Sequence, residues 1–118
     1  MNWQALNDSG QLEKIKSSSH NPSLLGILIF KHSTRCEVSS MVLNRLERGW
    51  DYNHSQFPVY FLDILNYHSL SYEIASLFGV RHESPQVLLI KDGICSYNDS
   101  HMVISAQRIV DSIESDNK

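Results

Sequence analysis

Leu24-Leu25-Gly26-Ile27-Leu28-Ile29-Phe30 is the segment that most restricts how this chain can fold. It is apolar at nearly every position, so a strand built from it has no polar face to turn toward water. Such a strand must be covered on both sides, as a central strand is in a sheet flanked by helices. The run is also far shorter than the ~20 residues a membrane-spanning helix needs. Lys31-His32-Ser33-Thr34-Arg35-Cys36-Glu37-Val38-Ser39 follows directly. From there Cys36, Val38, Met41, Val42, Leu46 and Trp50 recur at helical spacing. A buried strand therefore hands over to an amphipathic helix, with Thr34 or Ser33 as its expected cap and Gly49 as its stop.

The remaining elements can be read around that pair. Asp8-Ser9 can cap a helix reaching about Ser18, with Leu12, Ile15 and Lys16 along one side. Residues 1 to 8, with Trp3 and Leu6, suggest a short docking segment. Phe57 to Ile64 reads as a second strand, with Pro58 near its beginning, where a missing donor matters least. Ser69 or Ser71 opens a short helix through Tyr72 to Phe78, ended by Gly79. Pro85 opens a third strand that breaks at Asp92-Gly93, a two-residue hairpin signal. Ile94 to Asn98 is the return strand. A last helix from Val103 or Ser105 carries Ile104, Ile109, Val110 and Ile113, and the polar tail from Glu114 to Lys118 is expected to fray. Two buried strands joined through a helix imply a parallel pair with a right-handed crossover. The hairpin adds an antiparallel pair. A mixed four-stranded sheet with helices on both faces is the expected closure, which is the α/β thioredoxin architecture, as one domain over residues 1–118.

Composition narrows the function. Hydrophobic residues are 42% of the 118 and charged residues 19%, which supports a packed core and argues against a disordered chain. The ten basic residues are scattered and the net charge is −3, so the concentrated positive patch that nucleic acid requires is missing. The N-terminus lacks the basic and apolar regions of a signal peptide. A cytoplasmic protein follows as the expectation, and there thiols stay reduced. Two cysteines, Cys36 and Cys95, are too few for a disulfide framework and too far apart for a CxxC pair. The six histidines, His20, His32, His54, His68, His82 and His101, form no zinc-binding signature, so no metal site is expected.

Cys36 carries the chemistry. A thiol at a helix N-terminus meets unsatisfied N–H groups and the positive end of the helix dipole, and both favour the nucleophilic thiolate. Arg35 and His32 beside it would add positive charge. A small buried core thiol is the plainer reading of any free cysteine, and for Cys95, in a strand after a hairpin, it is the preferred one. Ser39 lies one helical turn beyond Cys36, where its hydroxyl could bond the thiolate but cannot resolve a disulfide. A single-thiol mechanism follows, completed by a second thiol from outside. His32 and His82 either tune the ionisation of the thiol or shape its pocket.

Several segments give the chain a family likeness. Phe30-Lys31-His32-Ser33-Thr34-Arg35-Cys36-Glu37-Val38-Ser39, Tyr60-Phe61-Leu62-Asp63, His82-Glu83-Ser84-Pro85-Gln86 and Ser100-His101 resemble the monothiol bacilliredoxin (YtxJ-like) family, thioredoxin-fold proteins linked to bacillithiol. The likeness covers nearly the whole chain. It implies that Cys36 is the nucleophile and that Ser39 stands where dithiol thioredoxins carry a resolving cysteine. It also implies that Thr34, Arg35, Ser84 and Pro85 contact substrate, and that Pro85 follows a cis bond facing the nucleophile. The family motif often has proline directly after the cysteine; Glu37 here sets a carboxylate against the thiolate.

The activity implied is removal of bacillithiol, or a similar low-molecular-weight thiol, from protein mixed disulfides. S-thiolated client proteins and the small thiol would be its partners, with neither nucleic acid nor membrane involved. No tightly bound cofactor is implied; the small thiol is a co-substrate. The residues themselves leave open a redox-inert adaptor of the same fold and a general glutathione- or sulfur-handling enzyme.

Overall fold

The computed structural model describes residues 1–116. Its elements run β1 (Gln4–Ala5), α1 (Ser9–Ser18), β2 (Ile27–His32), α2 (Glu37–Gly49), β3 (Val59–Asp63), α3 (His68–Phe78), β4 (Gln86–Lys91), β5 (Ile94–Ser100), a 3-10 turn (His101–Val103) and α4 (Ala106–Asp116). The strands form one mixed sheet in the order β1-β3-β2-β4-β5. β2 lies parallel to β3 and antiparallel to β4, and β4 is antiparallel to β5. The thioredoxin-like plan is present with five strands rather than the expected four. The extra one is β1, which pairs parallel with β3 through Gln4–Tyr60 and Ala5–Phe61.

β2 shows why its apolar sequence had to be central. All six of its residues are buried, and successive side chains feed opposite cores. Leu28 and Phe30 join Val87 and Leu89 of β4 under α2 (Val42, Leu46) and α4 (Ile104, Ile109). Ile27 and Ile29 join Leu62, Leu88 and Ile90 over α1 (Leu12, Ile15) and α3 (Leu70, Ile74). Burying an aliphatic side chain of this size contributes about 1.5–3 kcal/mol, so these two layers dominate the stabilisation.

Local signals fix the element ends. Asp8 caps α1 by accepting from the Gln11 N–H at 3.1 Å, and the Gln11 side chain accepts from the Asp8 N–H at 3.1 Å. Gly79 ends α3 in the left-handed region, with φ 65°. Asp92 and Gly93 both have positive φ, 53° and 79°, as a two-residue hairpin turn requires.

Several boundaries differ from the sequence reading. β2 begins at Ile27 rather than Leu24 and runs on through Lys31 and His32. β3 is confined to Val59–Asp63, and α3 starts earlier, at His68. The cap of α2 is Cys36 itself; neither Ser33 nor Thr34 fills that place, because the turn between strand and helix takes up both. α4 begins at Ala106, after a separate 3-10 turn. Of the polar tail, residues 114–116 continue α4, and residues 117–118 lie outside the described part. Among the described residues, no helix is long and apolar enough to cross a membrane.

Candidate active site

The strand register gathers three chain segments at one end of the sheet. β2 pairs Lys31 with Gln86 and His32 with Asp63, while β4 pairs Gln86 with Ser100. The residues leaving β2 (Ser33 to Cys36), entering β4 (His82 to Pro85) and leaving β5 (His101 to Val103) therefore meet there.

Cys36 is half-buried and caps α2 with extended backbone, φ −108° and ψ 116°. Its N–H donates to the Ser33 carbonyl at 3.2 Å, which closes the turn, and its own carbonyl accepts from the Ser40 N–H at 3.2 Å. The thiol makes no capping hydrogen bond, so its sulfur is left for chemistry at the helix N-terminus. Thr34 and Arg35 are exposed on the turn, and Glu37 occupies the first turn of α2.

Facing this turn is the Ser84-Pro85 peptide bond, which is cis. Pro85 is buried, and its carbonyl accepts from the His101 N–H at 2.9 Å. His101 adopts φ 60°, unusual for a residue other than glycine, and its Nε2 lies 3.0 Å from Glu83 Oε2. The loop before β4 and the turn after β5 are thus joined through backbone and side chain together. The Ser84 hydroxyl is buried and has no hydrogen-bond partner among the described residues.

Ser39 is fully buried, and its hydroxyl is committed elsewhere than the thiol. It accepts from the Ser33 N–H at 3.2 Å and lies 2.7 Å from His32 Nδ1. The hydrogen bond expected between Ser39 and the thiolate is replaced by this pair, which pins the Cys36 turn from beneath.

His32 is buried between Phe30 and Phe61, with ring centroids 5.9 and 5.2 Å away. Burial pushes its pKa down, and the Asp63 carboxylate opposes this only in part. Burial thus favours the neutral ring, which shares the Ser39 hydroxyl and braces the turn, so the positive charge expected of it beside Cys36 is disfavoured. His82 lies on the other face of the sheet, its Nδ1 2.8 Å from Ser71 Oγ and its ring against Tyr72. Burial holds its pKa down, and the nearby Lys31 and His68 charges act in the same direction. Sequence reasoning passed over Lys31, which is completely buried. Only its place inside an otherwise apolar strand could have marked it.

Cys95 lies near the hairpin, paired with Ile90, at the opposite end of the β4–β5 ladder from Ser100. Five strand residues separate that position from the site, on the order of 17 Å, well beyond the ~7 Å that a disulfide tolerates between Cα atoms. Burial pushes the Cys95 thiol pKa up, and its Sγ donates to the Tyr97 carbonyl at 3.2 Å. Cys95 is therefore out of disulfide reach of the Cys36 end of the sheet.

Known structures share this architecture. A proposed oxidoreductase with a thioredoxin fold superposes with a TM-score of 0.75 at 22% identity, over 92% of this chain and 90% of that one. Thioredoxin from Malassezia sympodialis matches with a TM-score of 0.69 at 15% identity, over 97% and 90%. Thioredoxin f from spinach chloroplast matches at 0.67 and 11%, over 98% and 93%. At these identities the likeness establishes the fold alone. The sequence match is more specific: residues 4–109 fit the family described as monothiol bacilliredoxin BrxC, a span containing Cys36, Ser39 and Pro85, and the chain belongs to that family.

Proposed function

We propose that this protein is a monothiol thiol–disulfide oxidoreductase that removes a low-molecular-weight thiol from protein mixed disulfides. Bacillithiol is the thiol to which the family points. The observation that carries the reading is Cys36 as the cap of α2, its sulfur free of any capping bond, with a buried hydroxyl at the position one turn on.

The thiolate of Cys36 attacks the small-thiol sulfur of the client's mixed disulfide. An S–S bond forms between Cys36 and the small thiol, the S–S bond joining the small thiol to the client breaks, and the client departs as a thiolate that takes a proton from solvent. A second low-molecular-weight thiolate then attacks the small thiol on Cys36. This releases a small-molecule disulfide and restores the Cys36 thiolate, so electrons and protons balance over the cycle. The α2 N-terminus presents its backbone N–H groups beside the reacting sulfur in both steps, with Arg35 exposed on the adjoining turn. Thr34 and the Ser84 backbone before Pro85 line the approach, where an extended client segment can be held. S-thiolated cytoplasmic proteins are the clients in this reading.

Mixing the protein with a client carrying bacillithiol is the test. Mass spectrometry is expected to show the small thiol on Cys36 and the client freed, and neither event in Cys36→Ser. Undiminished release by Cys36→Ser would remove Cys36 from the chemistry, and the absence of any adduct on the intact protein would favour a redox-inert adaptor.

A further inference from the structure

Lys31 is fully buried on the face of β2 that turns toward α3. A buried ammonium ordinarily pairs with a carboxylate. Among the described residues, Lys31 Nζ instead meets the Ser71 carbonyl at 3.1 Å and His82 Nδ1 at 3.4 Å. The Ser71 hydroxyl reaches the same His82 nitrogen at 2.8 Å.

Donor and acceptor rules decide the state of the ring. An ammonium only donates, so the Nδ1 that faces it must hold a lone pair, and the proton of a neutral His82 ring sits on Nε2. The Ser71 hydroxyl, 2.8 Å away, then donates to that single lone pair, and the ammonium at 3.4 Å shares it as the longer contact. Burial lowers the Lys31 pKa to about 8, which leaves the ammonium largely charged at pH 7. Among the described residues, the other charged or titratable groups around the cluster are His68 and Tyr72 from α3 and Glu83 from the loop; Asp63 acts on His32 on the opposite face of the sheet. Gln86 of β4, paired with Lys31, donates to the Arg81 carbonyl at 2.9 Å and closes the base of the loop.

We propose that Lys31 is a positioning residue for the thiol site: its ammonium and the Ser71 hydroxyl together hold His82 as the Nε2–H tautomer and so fix the segment from His82 to Pro85 beside the Cys36 turn. The catalytic consequence rests on the thiol-exchange reading above; the hold on His82 does not.

Nitrogen-15 NMR of labelled histidine reads the hold directly. The wild type is expected to show His82 as one Nε2–H tautomer at pH 7, and Lys31→Met to show a mixture of the two tautomers. With a bacillithiolated client, Lys31→Met is expected to raise KM about fivefold or more while kcat stays within about twofold. The rate at which iodoacetamide alkylates Cys36 is expected to change by less than about twofold, since the small probe does not need the loop. His82→Asn keeps an acceptor near the Nδ1 position and is expected to retain the wild-type KM, whereas His82→Leu is expected to lose it. These two variants decide the matter even if Lys31→Met fails to fold. A proton on Nδ1 in the wild type, an unaltered tautomer in Lys31→Met, or equal KM values for His82→Asn and His82→Leu would each overturn the proposal. If wild-type protein transfers no small thiol at all, the thiol-exchange reading falls, and the NMR result alone still decides whether Lys31 governs His82.

Discussion

Ser39→Ala separates two roles that the sequence leaves superimposed. If Ser39 serves the thiolate, removing its hydroxyl should slow Cys36 chemistry and leave the fold intact. The structure predicts the reverse. The hydroxyl is fully buried and joins the Ser33 N–H at 3.2 Å to His32 Nδ1 at 2.7 Å. Alanine suits the first turn of a helix and removes one oxygen atom, so the loss is confined to those two bonds. Each buried group left without a partner costs about 1–3 kcal/mol. The higher helix propensity of alanine and the hydroxyl that no longer needs desolvation offset part of this, for a net loss of about 2–3 kcal/mol. In a domain of 118 residues this lowers Tm by roughly 8–12 °C. Urea unfolding followed by circular dichroism and tryptophan fluorescence measures the loss. The alkylation rate of Cys36 in the folded variant is expected to stay within about threefold of wild type, because the structure shows no bond from Ser39 to the sulfur. A loss below about 0.5 kcal/mol together with a rate more than about tenfold slower would refute this account and return Ser39 to the thiolate.

Stability should depend on pH at both ends of the range. His32 and His82 have folded pKa values below their ordinary 6.5, so the unfolded chain takes up protons first, and stability falls as pH drops below about 6.5. Lys31, lowered from 10.5 to about 8, binds its proton more weakly folded than unfolded, so its own contribution to stability rises as pH climbs from about 8 toward 10.5, against Cys95, Tyr60 and Tyr97, whose raised pKa values make their contributions fall over the alkaline range. Chemical unfolding across pH 5 to 10 measures both slopes; Lys31→Met should make the alkaline one less positive, and a slope unchanged in that variant would contradict the assignment. Gly26→Ala would place a Cβ 2.5 Å from Leu89 Cδ1, so the leucine must turn toward the cavity it lines with Leu24, Leu25 and Ile113. The expected cost is about 1–3 kcal/mol, seen as a lower urea midpoint with unchanged slope, and a neutral result would show that Leu89 relaxes into that cavity without loss.

The parts of the fold carried by local patterns were legible. Asp8 as a cap, Gly79 as a stop and Asp92-Gly93 as a hairpin each act through their own backbone preferences, and each stands where the sequence placed it. The central position of β2 was equally plain, because a strand apolar on both faces has one kind of home. Its end was misjudged, since the apolar run stops at Phe30 yet Lys31 and His32 continue the strand and are buried, with Lys31 partnered by α3 and the 82–85 loop far away in sequence and His32 by Ser39 seven residues on. β1 escaped notice because two residues are too few to show alternation, and only the exposed edge of β3 gives them something to pair with. The location of Cys36 at a helix start was readable, while the duties of Ser39 and the disfavoured charge of His32 were not. Both depend on which groups share a buried space, and spacing along the chain does not record that.

The first residues of the chain have a bearing on how the protein is handled. Trp3 packs its ring against Phe30 and Phe61, at 5.8 and 5.7 Å, and donates from Nε1 to Glu47 of α2 at 3.1 Å. Leu6 is buried, and its N–H donates to the Phe61 carbonyl at 2.9 Å. Phe30 and Phe61 are the same two rings that enclose His32. An affinity tag or truncation that pulls residues 3–6 away would therefore loosen the wall behind the Cys36 turn and strip the β3 edge bare. A bare strand edge invites another chain to pair with it. Preparations altered at that end can thus acquire both a changed thiol site and a tendency to associate, from one cause that lies nowhere near the cysteine in sequence.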